Sequence, residues 1–156
     1  MTDGNEGERI VNDGADNTCF GCSPHNERGL KLAWHRVAPH EVEARYTVAA
    51  HWNGSPGVVH GGIQAALLDE TLGSAITDGA DDPEFFVVTR TFELDYRRPV
   101  PTETPLVLRG RLTGNEGRSY FAEGEILDEA GTTLTSAKAR WVRVEPPENL
   151  GALRSG

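Results

Sequence analysis

"VVHGGIQAALLDETLGSAI" occupies residues 58–76, and the fold turns on how it is read. From about Val59 to Ile76 there is no proline and no strand alternation, and apolar residues stand at positions 63, 65, 66, 67, 68, 72, 75 and 76. On a helix these positions cover most of the circumference. A helix apolar nearly all round has to be surrounded. A chain of 156 residues is long enough to do so within one domain and one core.

The flanking segments suit strands. Residues 30–34 (LKLAW) and 41–48 (EVEARYTV) are short apolar runs separated by Pro39, the pattern of a hairpin. In residues 85–100 (FFVVTRTFELDYRRPV), Phe86, Val88, Phe92, Leu94 and Tyr96 share one parity, while Thr89, Thr91, Glu93 and Asp95 share the other. Residues 104–114, 118–128 and 132–144 follow, joined by the Gly-containing turns NEG and EAG. In the last run Ala137, Ala139 and Trp141 alternate with Lys138, Arg140 and Val142, so that sheet has one covered face. The economical architecture is α+β: one long central helix wrapped by a curved antiparallel sheet of about six strands, in the order strand, strand, helix, four strands. Residues 1–17 are acidic and Gly-rich and are expected to be a disordered tail. The domain then runs over 18–145, and 146–156, with two prolines and no period, form a second tail.

Asp and Glu number 24 against 15 Lys and Arg, a formal net charge of -9 that repels nucleic acid and anionic membrane surfaces alike. No apolar run approaches the roughly 20 residues of a membrane span, and no basic start precedes an apolar segment. A cytoplasmic location is expected, and the sequon Asn53-Gly54-Ser55 then has no chemical consequence. Cys19 and Cys22 form one C-x-x-C with His25 three residues on. A closed zinc site needs four ligands and there is no second cysteine pair, so the two are read as a small apolar anchor, with no metal or cofactor expected.

A carboxylate inside an apolar helix asks for a reason. The i-4, i-3, i+3 and i+4 neighbours of Asp69 are Ala65, Ala66, Leu72 and Gly73, so its carboxyl emerges from an apolar stripe where desolvation raises its pKa. Such a group is either structural and hydrogen-bonded or poised for chemistry. His60-Gly61-Gly62 places uncrowded amides at the positive end of the helix dipole, an anion site unless the glycines only allow a tight turn after Pro56 and Gly57. Gly61 and Asp69 are eight residues apart, about 12 Å along the axis, too far to serve one reacting carbon. A shared site between side-by-side helices of two copies follows, in a homodimer or a dimer of dimers. Glu70, about 100° round the helix, reads as an interface or surface-facing charge.

The stretches "CFGCSPHNERGLKL", "HWNGSPGVVHGGIQAALLDETLGSAI" and "VVTRTFELDYRRPVP" resemble the PaaI-type acyl-CoA thioesterases of the hotdog-fold superfamily, over residues from about Cys19 to Val144. The resemblance implies hydrolysis of an acyl-CoA thioester to a free acid and coenzyme A. It implies that the Gly61 amide polarises the carbonyl and that the partner's Asp69 serves as general base or nucleophile. It further implies that Thr89 holds the water or acyl intermediate, that Asn53 helps bind the carbonyl oxygen, and that the cysteine pair is an unmetallated opening. His60 is either a second acid or base or a hydrogen-bonding residue at the helix start. Gly62 belongs with the substrate-binding amides. Arg97 and Arg98, with Pro99, form either a clamp for coenzyme A phosphates or a solvated pair balancing Glu93 and Asp95, and Arg118 is a further candidate of the same kind. Two other readings remain: a hotdog-type enoyl or hydroxyacyl dehydratase, which needs a His working with a carboxylate, and a non-catalytic acyl-CoA binding module. The acyl group is not specified by the sequence.

Overall fold

The computed structural model describes residues 7–148. One helix, α1 (Gly61–Thr77), lies against strands β1 (Arg9–Ile10), β2 (Trp34–Ala38), β3 (Glu41–Thr47), β4 (Val87–Tyr96), β5 (Pro105–Glu116), β6 (Ser119–Leu127) and β7 (Thr133–Arg143). They form one sheet in the order β1-β2-β3-β5-β6-β7-β4, antiparallel at every step. This is the expected α+β architecture with one strand more than six. The extra strand, Arg9–Ile10, pairs with Trp34 and His35 inside the stretch read as a tail. Backbone and charge order it: the Arg36 amide donates to Glu8 O at 2.8 Å, and the Arg36 guanidinium grips the Glu8 carboxylate. Residues 1–6 and 149–156, which hold the rest of the two expected tails, lie outside the described residues.

Of residues 30–34 only Trp34 is in a strand, because β2 begins there. Leu30 and Leu32 are buried as their alternation implies, yet their amides donate to Phe20 O and Gly21 O at 2.8 and 2.9 Å, and Lys31 between them is left-handed (φ 54°). Alternating burial here comes from a looped segment pinned to the 19–22 turn, with no ladder partner.

The helix packs chiefly across β5 and β6. Gly110 and Gly124 stand opposite each other in that ladder. A Cβ on Gly124 would lie 2.7 Å from Arg109 O and 2.8 Å from Leu72 Cδ2, so the pair lets the helix sink into the sheet. Leu67, Leu68, Leu72, Ala75 and Ile76 are thereby buried with Trp34, Leu106, Leu108 and Ile126. Trp34 Nε1 donates to Thr71 Oγ1 at 3.1 Å and that hydroxyl donates to Leu67 O at 2.7 Å, whereas the buried Ser74 hydroxyl has no partner among the described residues. Coverage is not complete. Gly62 is exposed, and Ala65, Ala66, Asp69 and Gly73 are half-buried, so one strip of the helix is only partly covered by the described residues.

Candidate active site

His60 caps the helix: its Nδ1 accepts from the Gly62 amide at 2.9 Å, and its carbonyl accepts from Ile63 N and Gln64 N at 2.9 and 3.0 Å. This is the hydrogen-bonding role of the two open for His60. The same bond engages the Gly62 amide within the chain. Of the first helical amides, only that of Gly61 has no partner among the described residues. The helix start is further fixed by Tyr96, whose hydroxyl donates to Gly61 O at 2.9 Å, and by Gln64, which donates to Val59 O at 3.0 Å and accepts from the Thr135 hydroxyl at 2.6 Å. In the sequence Tyr96 is only one more apolar-parity strand residue. Gln64 has a signal, being the one polar residue in an otherwise apolar first turn and a half.

Two turns further on, Asp69 Oδ1 accepts from the Thr89 hydroxyl at 2.8 Å. Plain alternation puts Thr89 opposite Phe92 and Leu94; the structure puts it with them. Thr89 pairs with Trp141 while Thr91 pairs with Arg140, so Arg90 is an extra residue and the pleat reverses across it. Before the bulge Val87 and Thr89 face the helix, and Val88, expected on the apolar face, turns outward and is 39 % exposed. After it Phe92 and Leu94 face the core. Burial pushes the Asp69 carboxyl above its ordinary value, and the Thr89 hydrogen bond offsets part of that rise. Among the described residues no cation forms an ion pair with it.

Asn53 is bridged to Val59 by its backbone at the helix entrance, and its side-chain oxygen is buried with no partner among the described residues. The candidate arginines divide. Arg97 Nε contacts Asp95 Oδ2 at 2.9 Å, as a solvated pair would, and Arg98 and Pro99 are exposed. The amides of Arg97 and Arg98 donate to Leu134 O, near the start of β7, whereas Arg118 Nε donates at 3.0 Å to Arg143 O at its end. Nine residues of strand, about 30 Å, separate those carbonyls. Within one chain, then, Gly61, Tyr96, Arg97 and Arg98 gather at the N-terminal end of the helix, Asp69 and Thr89 meet at its middle, and Arg118 lies by the far end of β7. A groove on the outer face of the sheet, lined by Arg109, Glu123, Glu125 and Lys138 among others, lies on the side turned away from the helix.

Glu70 corrects its expected role as a surface or interface charge. It is half-buried under the 19–22 turn, where the Cys19 thiol lies 3.6 Å from Oε1. Burial raises its carboxyl above the usual range and pushes the Cys22 thiol up to about 12.

A single helix packed against a curved antiparallel sheet is the architecture of the hotdog thioesterases. The model of the thioesterase superfamily matches residues 56–135, and the chain belongs to that superfamily. It is 33% identical over 129 residues to acyl-coenzyme A thioesterase THEM4 of Rattus norvegicus, an alignment covering 80% of this chain and 54% of that one. The chain thus spans about half the length of the curated relatives it matches. A crystal structure of a thioesterase superfamily protein superposes with a TM-score of 0.70 at 30% identity, covering 76% of this chain and 57% of its own. A mutant form of the phenylacetic acid degradation protein PaaI from Thermus thermophilus shares the fold, with a TM-score of 0.62 at 22% identity over 71% of this chain and 91% of that one.

Proposed function

We propose that this chain hydrolyses an acyl-coenzyme A thioester to a free acid and coenzyme A, in a site shared by two copies. The observation that carries the reading is Asp69, half-buried on an apolar stripe and held through one carboxylate oxygen by Thr89, in a chain of the thioesterase superfamily. With Oδ1 engaged, Oδ2 is left to take a proton from water. The water oxygen bonds to the thioester carbon, the carbonyl electrons move to oxygen, and on collapse the C–S bond breaks and the thiolate leaves with a proton. The developing oxyanion is met by the Gly61 amide, the one helix-start donor without a partner of its own among the described residues. Direct attack by the carboxylate, giving an anhydride that water then opens, uses the same groups.

Two copies related by a two-fold axis across the half-covered helix strip bring Gly61 of one chain toward Asp69 of the other. The same operation brings Arg97 and Arg98 of one copy toward Arg118 of its partner, which a phosphate-rich ligand favours. A homodimer or a dimer of dimers satisfies this, and a reducing compartment such as the cytoplasm suits two cysteines that remain thiols. A dehydratase is disfavoured because it needs a histidine working with the acid, and His60, at the helix start, has its Nδ1 engaged in the cap.

The test is thiol release from short-chain, long-chain and aryl-acyl coenzyme A esters, with Asp69→Ala beside the wild type. Turnover on at least one class, abolished in the variant while affinity persists, supports the reading. Equally slow release by both proteins on every substrate overturns it, and retained binding without turnover by the wild type points to a binding module.

A further inference from the structure

The hydrolytic reading leaves unused a cluster on the other side of the helix: Cys19, Cys22 and Glu70. One donor atom from each lies within 4.8 Å of the others. Cys19 Sγ and Glu70 Oε1, 3.6 Å apart, come from segments 51 residues distant in sequence. In a tetrahedral zinc site, with Zn–S near 2.3 Å and Zn–O near 2.0–2.2 Å, the donor atoms stand about 3.5–3.8 Å apart. Closing this trio round an ion therefore asks for side-chain movements of about an ångström or less.

The backbone beneath the thiols is already set. Ser23 N donates to Cys19 O at 3.2 Å, and the amides of buried Leu30 and Leu32 hold the carbonyls of Phe20 and Gly21. Gly21, between the cysteines, is the residue over which the carboxylate lies: a Cβ there would sit 2.2 Å from Glu70 Cδ and 2.6 Å from Oε1. The half-buried carboxylate forms no ion pair with Lys, Arg or His among the described residues. Two sulfurs and one oxygen suit Zn²⁺, and not Mg²⁺ or Ca²⁺, which take oxygen ligands. Cys22 is buried while Cys19 is half-exposed, so a fourth ligand enters as water from the Cys19 side. Spacing alone does not reveal this trio, because the C-x-x-C supplies only two ligands and the third arrives from the helix through the tertiary fold.

We propose that Cys19, Cys22 and Glu70 form a zinc site that fastens the N-terminal turn to the central helix. The site is independent of the thioesterase reading, and its test does not use turnover. The full chain, reduced and stripped with a chelator, is equilibrated with zinc chloride, dialysed and its metal counted; cobalt(II) is titrated in parallel. One zinc per chain, a thiolate-to-cobalt charge-transfer band, and slowed alkylation of both thiols in the presence of zinc support the proposal. So does loss of the metal in Cys19→Ser and in Cys22→Ser, and affinity weakened by at least on the order of 10-fold in Glu70→Gln. Wild-type protein that retains no zinc, or whose thiols alkylate at the same rate with and without it, overturns the proposal without recourse to any variant. Unchanged affinity in Glu70→Gln overturns it as well, as does ready closure of a Cys19–Cys22 disulfide that zinc does not impede.

Discussion

Thr89 reaches Asp69 across a bulge, its hydroxyl 2.8 Å from Oδ1, although by its place in the alternation it belongs on the far side of the sheet. Bulges that re-aim a side chain are over-represented next to active sites. Thr89→Val keeps the shape and removes the donor. Hydrogen bonds to charged groups contribute about 1.5–3 kcal/mol, so kcat for thioester hydrolysis should fall on the order of 10-fold or more. KM should change little, and Thr89→Ser should restore the rate. A Thr89→Val enzyme with wild-type kcat would remove Thr89 from the mechanism.

Gly61→Pro deletes one amide hydrogen and nearly nothing else. Gly61 is the first helical residue, where proline is well tolerated, and His60 before it already has φ -54° and ψ 135°, the region proline imposes on its predecessor. A Cβ at this position meets only ordinary contacts, 3.5 Å from the Tyr96 hydroxyl. Losing an oxyanion donor should lower kcat on the order of 100-fold or more with the circular dichroism spectrum unchanged. Mixing Gly61→Pro with Asp69→Ala chains under exchange conditions should then recover activity, since the hybrid dimer holds one intact site. No recovery in verified hybrids would mean that each chain works alone.

Asp69→Asn should make the protein more stable while stopping hydrolysis. The carboxyl's pKa is raised in the fold, burial being the chief cause, so its charged form is disfavoured there relative to the unfolded chain. Stability from this group is full below its ordinary value of 3.8 and is lost as pH rises through the raised folded value. The amide retains an oxygen for the Thr89 hydroxyl and carries no charge. Thermal melts at pH 7 should therefore show a higher Tm for the variant, with the gap narrowing as pH falls toward 4. A lower Tm at pH 7 would mean that the carboxylate is a stabilising group.

The helix, the three strands after β4 and the positions of Gly61 and Asp69 are legible because each rests on local periodicity. What stayed hidden rests on contacts or on a change of count. The bulge absorbs Arg90 within Thr-Arg-Thr, a run whose residue types do not announce an extra residue. Arg9–Ile10 joins the sheet through Glu8, Arg36 and the packing of the single residue Ile10 against the core, too little apolar content for composition to read it as anything but a tail. Glu70 looks like a surface charge from its helix neighbours, and only the 19–22 turn folding over it shows otherwise.

Asp78, at the C-terminal cap of the helix, carries the opposite pH signature to Asp69. Burial alone would raise its pKa, but the Arg36 guanidinium, with Nε 2.7 Å from Oδ1, and the His40 amide, 2.9 Å from Oδ2, bring it below 3.8. A depressed folded value stabilises the protein above the unfolded pKa, and that stability disappears as pH falls through the folded one. The pairing also offsets the unfavourable placement of an anion at a helix C-terminus. Asp78→Asn should thus lower the urea midpoint clearly at pH 7 and much less at pH 3. An equal loss at both pH values would assign the effect to packing and not to charge.

The paired glycines under the helix make the sharpest packing prediction. Gly124→Ala places a methyl carbon 2.7 Å from the Arg109 carbonyl oxygen, which belongs to the neighbouring strand and cannot swing aside, and 2.8 Å from Leu72 Cδ2. The helix must lift or the β5–β6 ladder must part, and overpacking of this kind costs about 1–3 kcal/mol. Gly114, elsewhere in the same strand pair, has only Phe121 Cδ2 within reach, at 3.9 Å, so Gly114→Ala should stay within about 0.5 kcal/mol of wild type. Urea melts of the two variants separate the explanations. If both lose stability equally, the glycines matter for strand flexibility; if only Gly124→Ala does, the sheet is curved to the measure of the helix it holds, and that seat sets the positions of Asp69 and Gly61.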